Sequence, residues 1–139
     1  MRFLLDTNVC ISYLNGRSEA IKRELLVRRR EDIVMCSVVK AELCYGAFKS
    51  KNPQRNLETL WSFVEGFASL PLDDNAAGVY GRIRADLERI GRPIGPNDFL
   101  IAAIAIANDV TLVTHNIREF GRINGLTVED WETEDPCPL

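Results

Sequence analysis

Three acids in this chain sit where the surrounding pattern does not ask for one: Asp6, Glu42 and Asp98. Asp6 closes the apolar run Phe3-Leu4-Leu5, which is too short for a helix and reads as a buried strand. Glu42 borders the apolar face of a helix fed by a second apolar run, Ile33-Val34-Met35-Cys36. Asp98 opens the stretch from Phe99 to Ala107, which is apolar all round. Singly, each has an ordinary explanation: Asp6 as a helix cap, Glu42 as a rim charge, Asp98 as a first-turn partner of the helix dipole. Jointly they point to chemistry, because strand ends in a parallel sheet face one crevice. Carboxylates gathered there repel, and the cluster persists only if acids protonate or cations bind. No lysine or arginine adjoins Asp6 or Asp98 in the sequence, so a bound cation is the natural solution. Oxygen-only ligation selects Mg²⁺ or Mn²⁺ over zinc.

A further ligand group is expected after the apolar run Thr111-Leu112-Val113-Thr114. Asn116 stands there, able to offer an amide oxygen or hold a water. Glu119 follows one helical turn on and could supply another carboxylate. His115, the chain's single histidine, invites a general-base role. A lone histidine is more often a local hydrogen-bonding residue, and that is the expectation here.

These residues need an alternating α/β scaffold to bring them together. Thr7 to Asn15 reads as a short helix, capped by Asp6 or Thr7 and ended by Asn15-Gly16. Ser18 starts a second helix, closing on Arg28-Arg29-Arg30, a charge sign suited to a helix C-terminus or to an RNA phosphate. After the second strand Ser37 is expected to cap the helix with Val38, Val39, Leu43, Gly46 and Ala47 on its apolar face. Asn52-Pro53 opens a long helix with Leu57, Leu60, Trp61, Val64 and Phe67 at helical spacing. Leu70-Pro71-Leu72 reads as a short connecting strand. Asp73 or Asp74 caps a helix carrying the stripe Ala76, Val79, Tyr80, Ile83, Leu87 and Ile90. The loop Gly91 to Asn97 leads into the apolar helix, from about Asn97 to Asn108, which must be central. Thr127-Val128 is a candidate last strand. The order predicts a parallel sheet flanked by helices.

The chain has 139 residues, one domain's worth. No apolar run reaches the roughly 20 residues of a membrane span, and no secretory signal pattern opens the sequence. Cys10, Cys36, Cys44 and Cys137 lack metal-ligand spacing, and no disulfide framework is suggested. A cytoplasmic protein with no membrane partner is expected. The net charge is −3, but five acids and no base fall between Glu129 and Leu139, leaving 17 bases against 15 acids before them. The division expected is a single domain over residues 1–131 and an acidic C-terminal tail over 132–139.

Set in order, Leu4-Leu5-Asp6-Thr7-Asn8, Val38-Val39-Lys40-Ala41-Glu42-Leu43, Gly91-Arg92-Pro93-Ile94-Gly95-Pro96-Asn97-Asp98 and Val113-Thr114-His115-Asn116 with Arg118-Glu119-Phe120 resemble the PIN-domain ribonucleases. The resemblance runs from Met1 to about Trp131. Tyr45-Gly46-Ala47 and the closing Gly125-Leu126 and Glu129-Asp130-Trp131 match the VapC toxins of type II toxin–antitoxin systems. It implies an Mg²⁺-dependent endoribonuclease acting on structured RNA, notably tRNA, held inactive by a cognate antitoxin and assembling as a homodimer and a toxin–antitoxin hetero-oligomer. It implies Asp6, Glu42 and Asp98 as metal ligands, and a catalytic set completed by Asn116 and Glu119. Asn116 departs from the aspartate of many PIN domains, and Glu119 can compensate. RNA contacts are expected from Arg82, Arg84, Arg89, Arg92 and Arg118, with Lys49 and Lys51 nearby.

Other strand-end acids fit less well. A haloacid-dehalogenase-like phosphatase would want an acid two residues after Asp6, where Asn8 stands. A response-regulator receiver would want a lysine near Thr114-His115-Asn116. The remaining alternative is a catalytically weak PIN domain that binds RNA or protein, which Asn116 alone favours.

Overall fold

A computed structural model of the chain describes residues 1–132. β1 (Phe3–Leu5), β2 (Ile33–Cys36), β3 (Ala68–Leu70), β4 (Thr111–Val113) and β5 (Val128–Glu129) form one parallel sheet in the order β3-β2-β1-β4-β5. The helices are α1 (Thr7–Leu14), α2 (Glu19–Val27), α3 (Ser37–Lys49), α4 (Pro53–Val64), α5 (Asp74–Arg89), α6 (Pro96–Ala107) and α7 (Ile117–Phe120). β1 and β2 are buried at every residue. Strands covered on both faces read as continuous apolar runs, which is why these two are plain in the sequence. The chain leaves β1 toward β2 and β3, then returns to the other side of β1 for β4 and β5. The strand order therefore reverses beside β1, and the crevice at the carboxyl ends of β1 and β4 is the switch point where α/β sheets hold ligands. Registers Phe3↔Thr111 and Leu5↔Val113 bring Asp6 level with Thr114, and the Asp6 N–H donates to the Val113 carbonyl at 3.0 Å.

Helix α6 is central, as its all-round apolar surface predicts: Phe99 and Ile101 to Ala105 are buried. α5 packs along it, with Tyr80 edge-on to Phe99. Ser18 caps α2, its hydroxyl accepting from the Ile21 N–H. Gly16, at φ +65°, turns the chain after α1 in a conformation that a side chain would strain.

Several local expectations give way to tertiary contacts. α4 ends at Val64, so Phe67 is off the helix. The strand begins at Ala68 and ends at Leu70, and it is an edge of the main sheet, not a connector over Leu70 to Leu72. Pro71 has no N–H with which to continue the ladder. Ser37 does not cap α3; its hydroxyl donates to the Leu70 carbonyl at 3.3 Å and ties β3 to the helix start. Ile90 is 64% exposed, beyond the α5 stripe that Ala76, Ile83 and Leu87 do bury. α2 stops at Val27 with Arg28 as its C-cap, so only the first residue of the arginine run belongs to the helix end. Arg28 lies over the rings of Phe3 and Trp131 at 4.4 and 4.7 Å and pairs with Glu24. Arg30 covers the Phe67 ring at 4.7 Å and fills the space beside Gly66 where a Cβ would stand. Cys10 and Cys36 are buried and Cys44 partly so, all as free thiols; Cys137, Glu134 and Asp135 lie outside the described residues.

Candidate active site

Asp6 follows β1 directly and is 5% exposed. It does cap α1, accepting the Val9 N–H at 2.8 Å. The cap uses one carboxylate oxygen, and the Thr114 hydroxyl also donates to this carboxylate. Burial raises the Asp6 pKa, these two hydrogen bonds oppose the rise, and the charges of Glu132 and Glu42 add to it. Glu42 lies in the second turn of α3, half-buried, where it accepts the Thr7 hydroxyl proton at 2.6 Å. Asp98 lies in the first turn of α6. Its pKa is pushed up to about 6, first by burial and then by the charges of Glu42, Glu119 and Asp6. Four carboxylates from β1, α3, α6 and α7 thus act on one another across the switch-point crevice.

Asn116 joins them through Glu119: its amide N–H donates to a Glu119 carboxylate oxygen at 3.0 Å. Its backbone N–H donates to the Thr114 hydroxyl oxygen at 3.0 Å. Thr114 is therefore a joint, with its hydroxyl bonded to both Asp6 and Asn116 and its N–H donating to the Glu129 carbonyl at 2.9 Å. Asn116 orients an acid that stands one helical turn on.

The donor set suits a hard divalent cation. Among the described residues no lysine, arginine or histidine nitrogen pairs with Asp6, Glu42, Asp98 or Glu119. Repelling oxygens, two of them on acids with raised pKa values, are what an oxygen-seeking divalent ion offsets. Thr7, Glu42 and Asn97 also line an open groove of about 830 Å³, with Tyr45, Leu72 and Leu100 on its apolar side. The groove thus opens Glu42 to an extended ligand.

The arginines sort into two kinds. On α5, Arg82 faces Asp86 at 3.9 Å, Arg84 faces Glu88 at 2.6 Å and Arg89 faces Asp86 at 3.1 Å. Arg84 also donates to the Tyr80 hydroxyl. Arg92 and Arg118 enter no ion pair among the described residues, and both are exposed. Arg118 lies on α7 between Asn116 and Glu119.

The family model of the PIN domain matches residues 3–126. The tRNA(fMet)-specific endonuclease VapC of Shigella flexneri is 42% identical over 131 residues, covering 94% of this chain and 98% of that protein. The chain belongs to the PIN-domain VapC ribonucleases. Ribonuclease VapC2 of Rickettsia felis is 39% identical over 133 residues, 95% of this chain and 99% of that one. A crystal structure of DNA-bound VapBC from Salmonella typhimurium superimposes with a TM-score of 0.89 at 40% identity, over 94% of this chain and 98% of that one. PIN nuclease domains are metal-dependent, in keeping with crevice acids that pair with no lysine, arginine or histidine among the described residues.

Within this VapC fold the hydroxyls that fix the acids have little signature in the sequence. Thr7 and Thr114 are marked only by standing next to a strand-end polar residue. The contacts of the closing turn are likewise set by distant packing. His115 Nδ1 lies 3.0 Å from Asp130 and 3.3 Å from Glu132. His115 is thus engaged locally, as expected of a lone histidine, but its partners sit 15 and more residues away, across the β4–β5 pairing.

Proposed function

We propose that this chain is the toxin of a type II toxin–antitoxin pair, an endoribonuclease that hydrolyses a phosphodiester of tRNA with Mg²⁺, or Mn²⁺ in its place. The observation that carries the reading is the set of carboxylates at the switch point without a cationic partner among the described residues. In the proposal Asp6, Glu42 and Asp98 hold the cation, and Asn116 with Glu119 completes the catalytic set. When bound, such a cation lowers the pKa of a water and stabilises charge on the phosphate. The chain's part is positional. Val9 N–H and the Thr114 hydroxyl hold Asp6, the Thr7 hydroxyl holds Glu42, and the Asn116 amide holds Glu119. In-line attack by water on phosphorus breaks the bond to the ribose 3′ oxygen. It leaves a 5′-phosphate and a 3′-hydroxyl, with no need of the 2′-OH as nucleophile. RNA preference then rests on shape and 2′-OH contacts at the rim, for which Arg92 and Arg118 are the exposed candidates and the α5 arginines the paired ones.

The VapC named for tRNA(fMet) makes initiator tRNA the first substrate to try. The VapBC complexes among the solved relatives make a cognate antitoxin the expected partner. The groove beside Glu42 suits it: Ile11, Tyr45 and Leu72 stand exposed there at 37%, 66% and 41%. A homodimer within a toxin–antitoxin hetero-oligomer, cytoplasmic like its substrate, and a nuclease domain over residues 1–131 with the acidic 132–139 appended complete the reading. No helix among the described residues is long and apolar enough to cross a membrane. The rival reading, a binding module weakened by Asn116, loses support because Asn116 holds the carboxylate of Glu119.

The test is cleavage of total tRNA with and without Mg²⁺, with the cut ends mapped. Discrete cuts that require Mg²⁺, end in 5′-phosphate and vanish on adding the neighbouring antitoxin are expected. Tight RNA binding with no cleavage under any divalent ion would overturn the reading in favour of the binding module.

A further inference from the structure

One polar cluster is left unused by the mechanism: His115, Asp130 and Glu132. Among the described residues it is the one set of three His, Cys, Asp or Glu side chains whose ligand atoms all fall within 4.8 Å of one another. The histidine is exposed, but Asp130 and Glu132 keep only 17% and 19% of their side-chain surface. The cluster is built, not a chance meeting of surface charges. β4 pairs with β5 in parallel, Val113 opposite Glu129, so the residues after each strand leave the sheet side by side. Thr114 fixes that exit by donating its N–H to the Glu129 carbonyl. Trp131 is buried against Phe3, 5.4 Å between ring centres, under the Arg28 guanidinium. It anchors the residue between the two acids. The Glu132 N–H then donates to Asp130 at 2.9 Å, turning the backbone, and His115 Nδ1 lies between the two carboxylates.

This turn lies at the carboxyl ends of β4 and β5, the edge on which Asp6 and Asn116 stand. We propose that His115 is a positioning residue that holds the Asp130–Glu132 turn at the mouth of the carboxylate crevice, making Glu132 a fifth acid of the cation site. The proposal rests on the cation-site reading above. It agrees with the electrostatics of Asp6, whose carboxyl feels the charge of Glu132 as well as that of Glu42. Glu132 acts through space, as an outer charge that raises the negative potential where a divalent ion enters. The expected effect on cation affinity is on the order of three- to tenfold, the range for one charge several ångströms from a divalent ion in a solvated crevice.

The experiment is calorimetric titration of the full chain with Mn²⁺ and with Mg²⁺, in the absence of RNA, alongside thermal melting. Glu132→Gln and His115→Ala are each expected to weaken the affinity three- to tenfold at an unchanged melting temperature. The double variant should be no weaker than either single one, since both remove the same charge from the same place. His115→Asn keeps an N–H donor near the Nδ1 position and should restore most of the affinity. Wild-type affinity in Glu132→Gln would overturn the proposal. So would additive losses in the double variant, which would mean that His115 acts by a route of its own. Asp6→Asn is the control that separates the two readings: if it too binds Mn²⁺ like the wild type, the cation site itself is misplaced. If it loses binding while Glu132→Gln does not, only the role of Glu132 and His115 fails.

Discussion

Charge is handled in opposite ways at the carboxyl edge of the sheet and along helix α5. On α5, Arg82, Arg84 and Arg89 each have an acid three or four residues away, within 4.0 Å and open to solvent. Such solvated pairs stabilise a helix only weakly and carry little else. At the sheet edge the acids gather without a cation among the described residues, two of them with carboxyl pKa values pushed upward. Natural chains do not keep repelling charges in a partly buried crevice for stability. A charge that is paired on its own helix needs no further explanation, whereas an acid held by hydroxyls and amides among other acids is held for something absent from the chain.

The strongest way to break this contrast is to neutralise one acid of the edge. Asp6→Asn keeps a side chain able to cap α1 but removes a ligand charge. Cleavage should fall by on the order of 10³-fold, the cost of losing a main electrostatic stabiliser. The melting temperature without divalent ions should hold or rise, because repulsion with Glu42 and Asp98 is relieved. Full activity in this variant, with ends mapped on tRNA, would remove Asp6 from the site. Next in size is Thr7→Val, which deletes the hydroxyl 2.6 Å from Glu42 without altering shape. Groups that orient metal ligands typically matter 10- to 100-fold, and the loss should appear in the divalent-ion concentration needed for half-maximal cleavage.

Much of this edge is legible in the sequence. The runs Phe3-Leu4-Leu5 and Ile33 to Cys36 announce strands buried on both faces, and the apolar span after Asp98 announces the central helix. Acids that interrupt such patterns stand out against them. What the sequence does not show is anything decided by packing between distant segments. The Arg28-Arg29-Arg30 run reads as a helix terminus, yet Arg28 lies on Phe3 and Trp131, residues from opposite ends of the chain. Ser37 has the composition of a cap but bonds to Leu70, because the β2–β3 pairing brings that carbonyl within reach. Glu119 is legible one turn after Asn116, but the hydrogen bond by which the Asn116 amide holds it is not.

Proton competition tests the same contrast at the level of about tenfold. The Asp98 pKa is raised from 3.8 to about 6, so the folded chain binds more protons than the unfolded one between those values. Stability from this group therefore falls as pH rises from about 4 to 6, and is restored when a proton or a divalent ion neutralises the crevice. A ligand must lose its proton to bind a cation, so affinity should drop about tenfold from pH 7.5 to pH 5. Melting curves with and without Mg²⁺ at the two pH values check this: the added stabilisation should be large at pH 7.5 and small at pH 5. Equal stabilisation at both would show that Asp98 is not in competition with the ion.

The smallest effect belongs to the arginines, and it separates paired from unpaired ones. Arg84 is held by Glu88 and Tyr80, so contact with an RNA phosphate would require breaking an existing pair, whereas Arg118 is exposed beside Glu119 and enters no ion pair among the described residues. A cation that neutralises a phosphate releases counter-ions, and its removal lowers the steepness with which binding weakens in salt, by roughly one in the logarithmic slope. Arg118→Ala should therefore weaken tRNA binding about threefold near physiological salt and flatten that slope by about one. Arg84→Ala should leave both within error. Binding can be measured by filter retention in Ca²⁺, or in an Asp6→Asn background, so that cleavage does not obscure it. Equal slopes for the two variants would mean that local pairing does not decide which arginines reach the RNA, and the α5 arginines would then rejoin Arg118 as members of the rim.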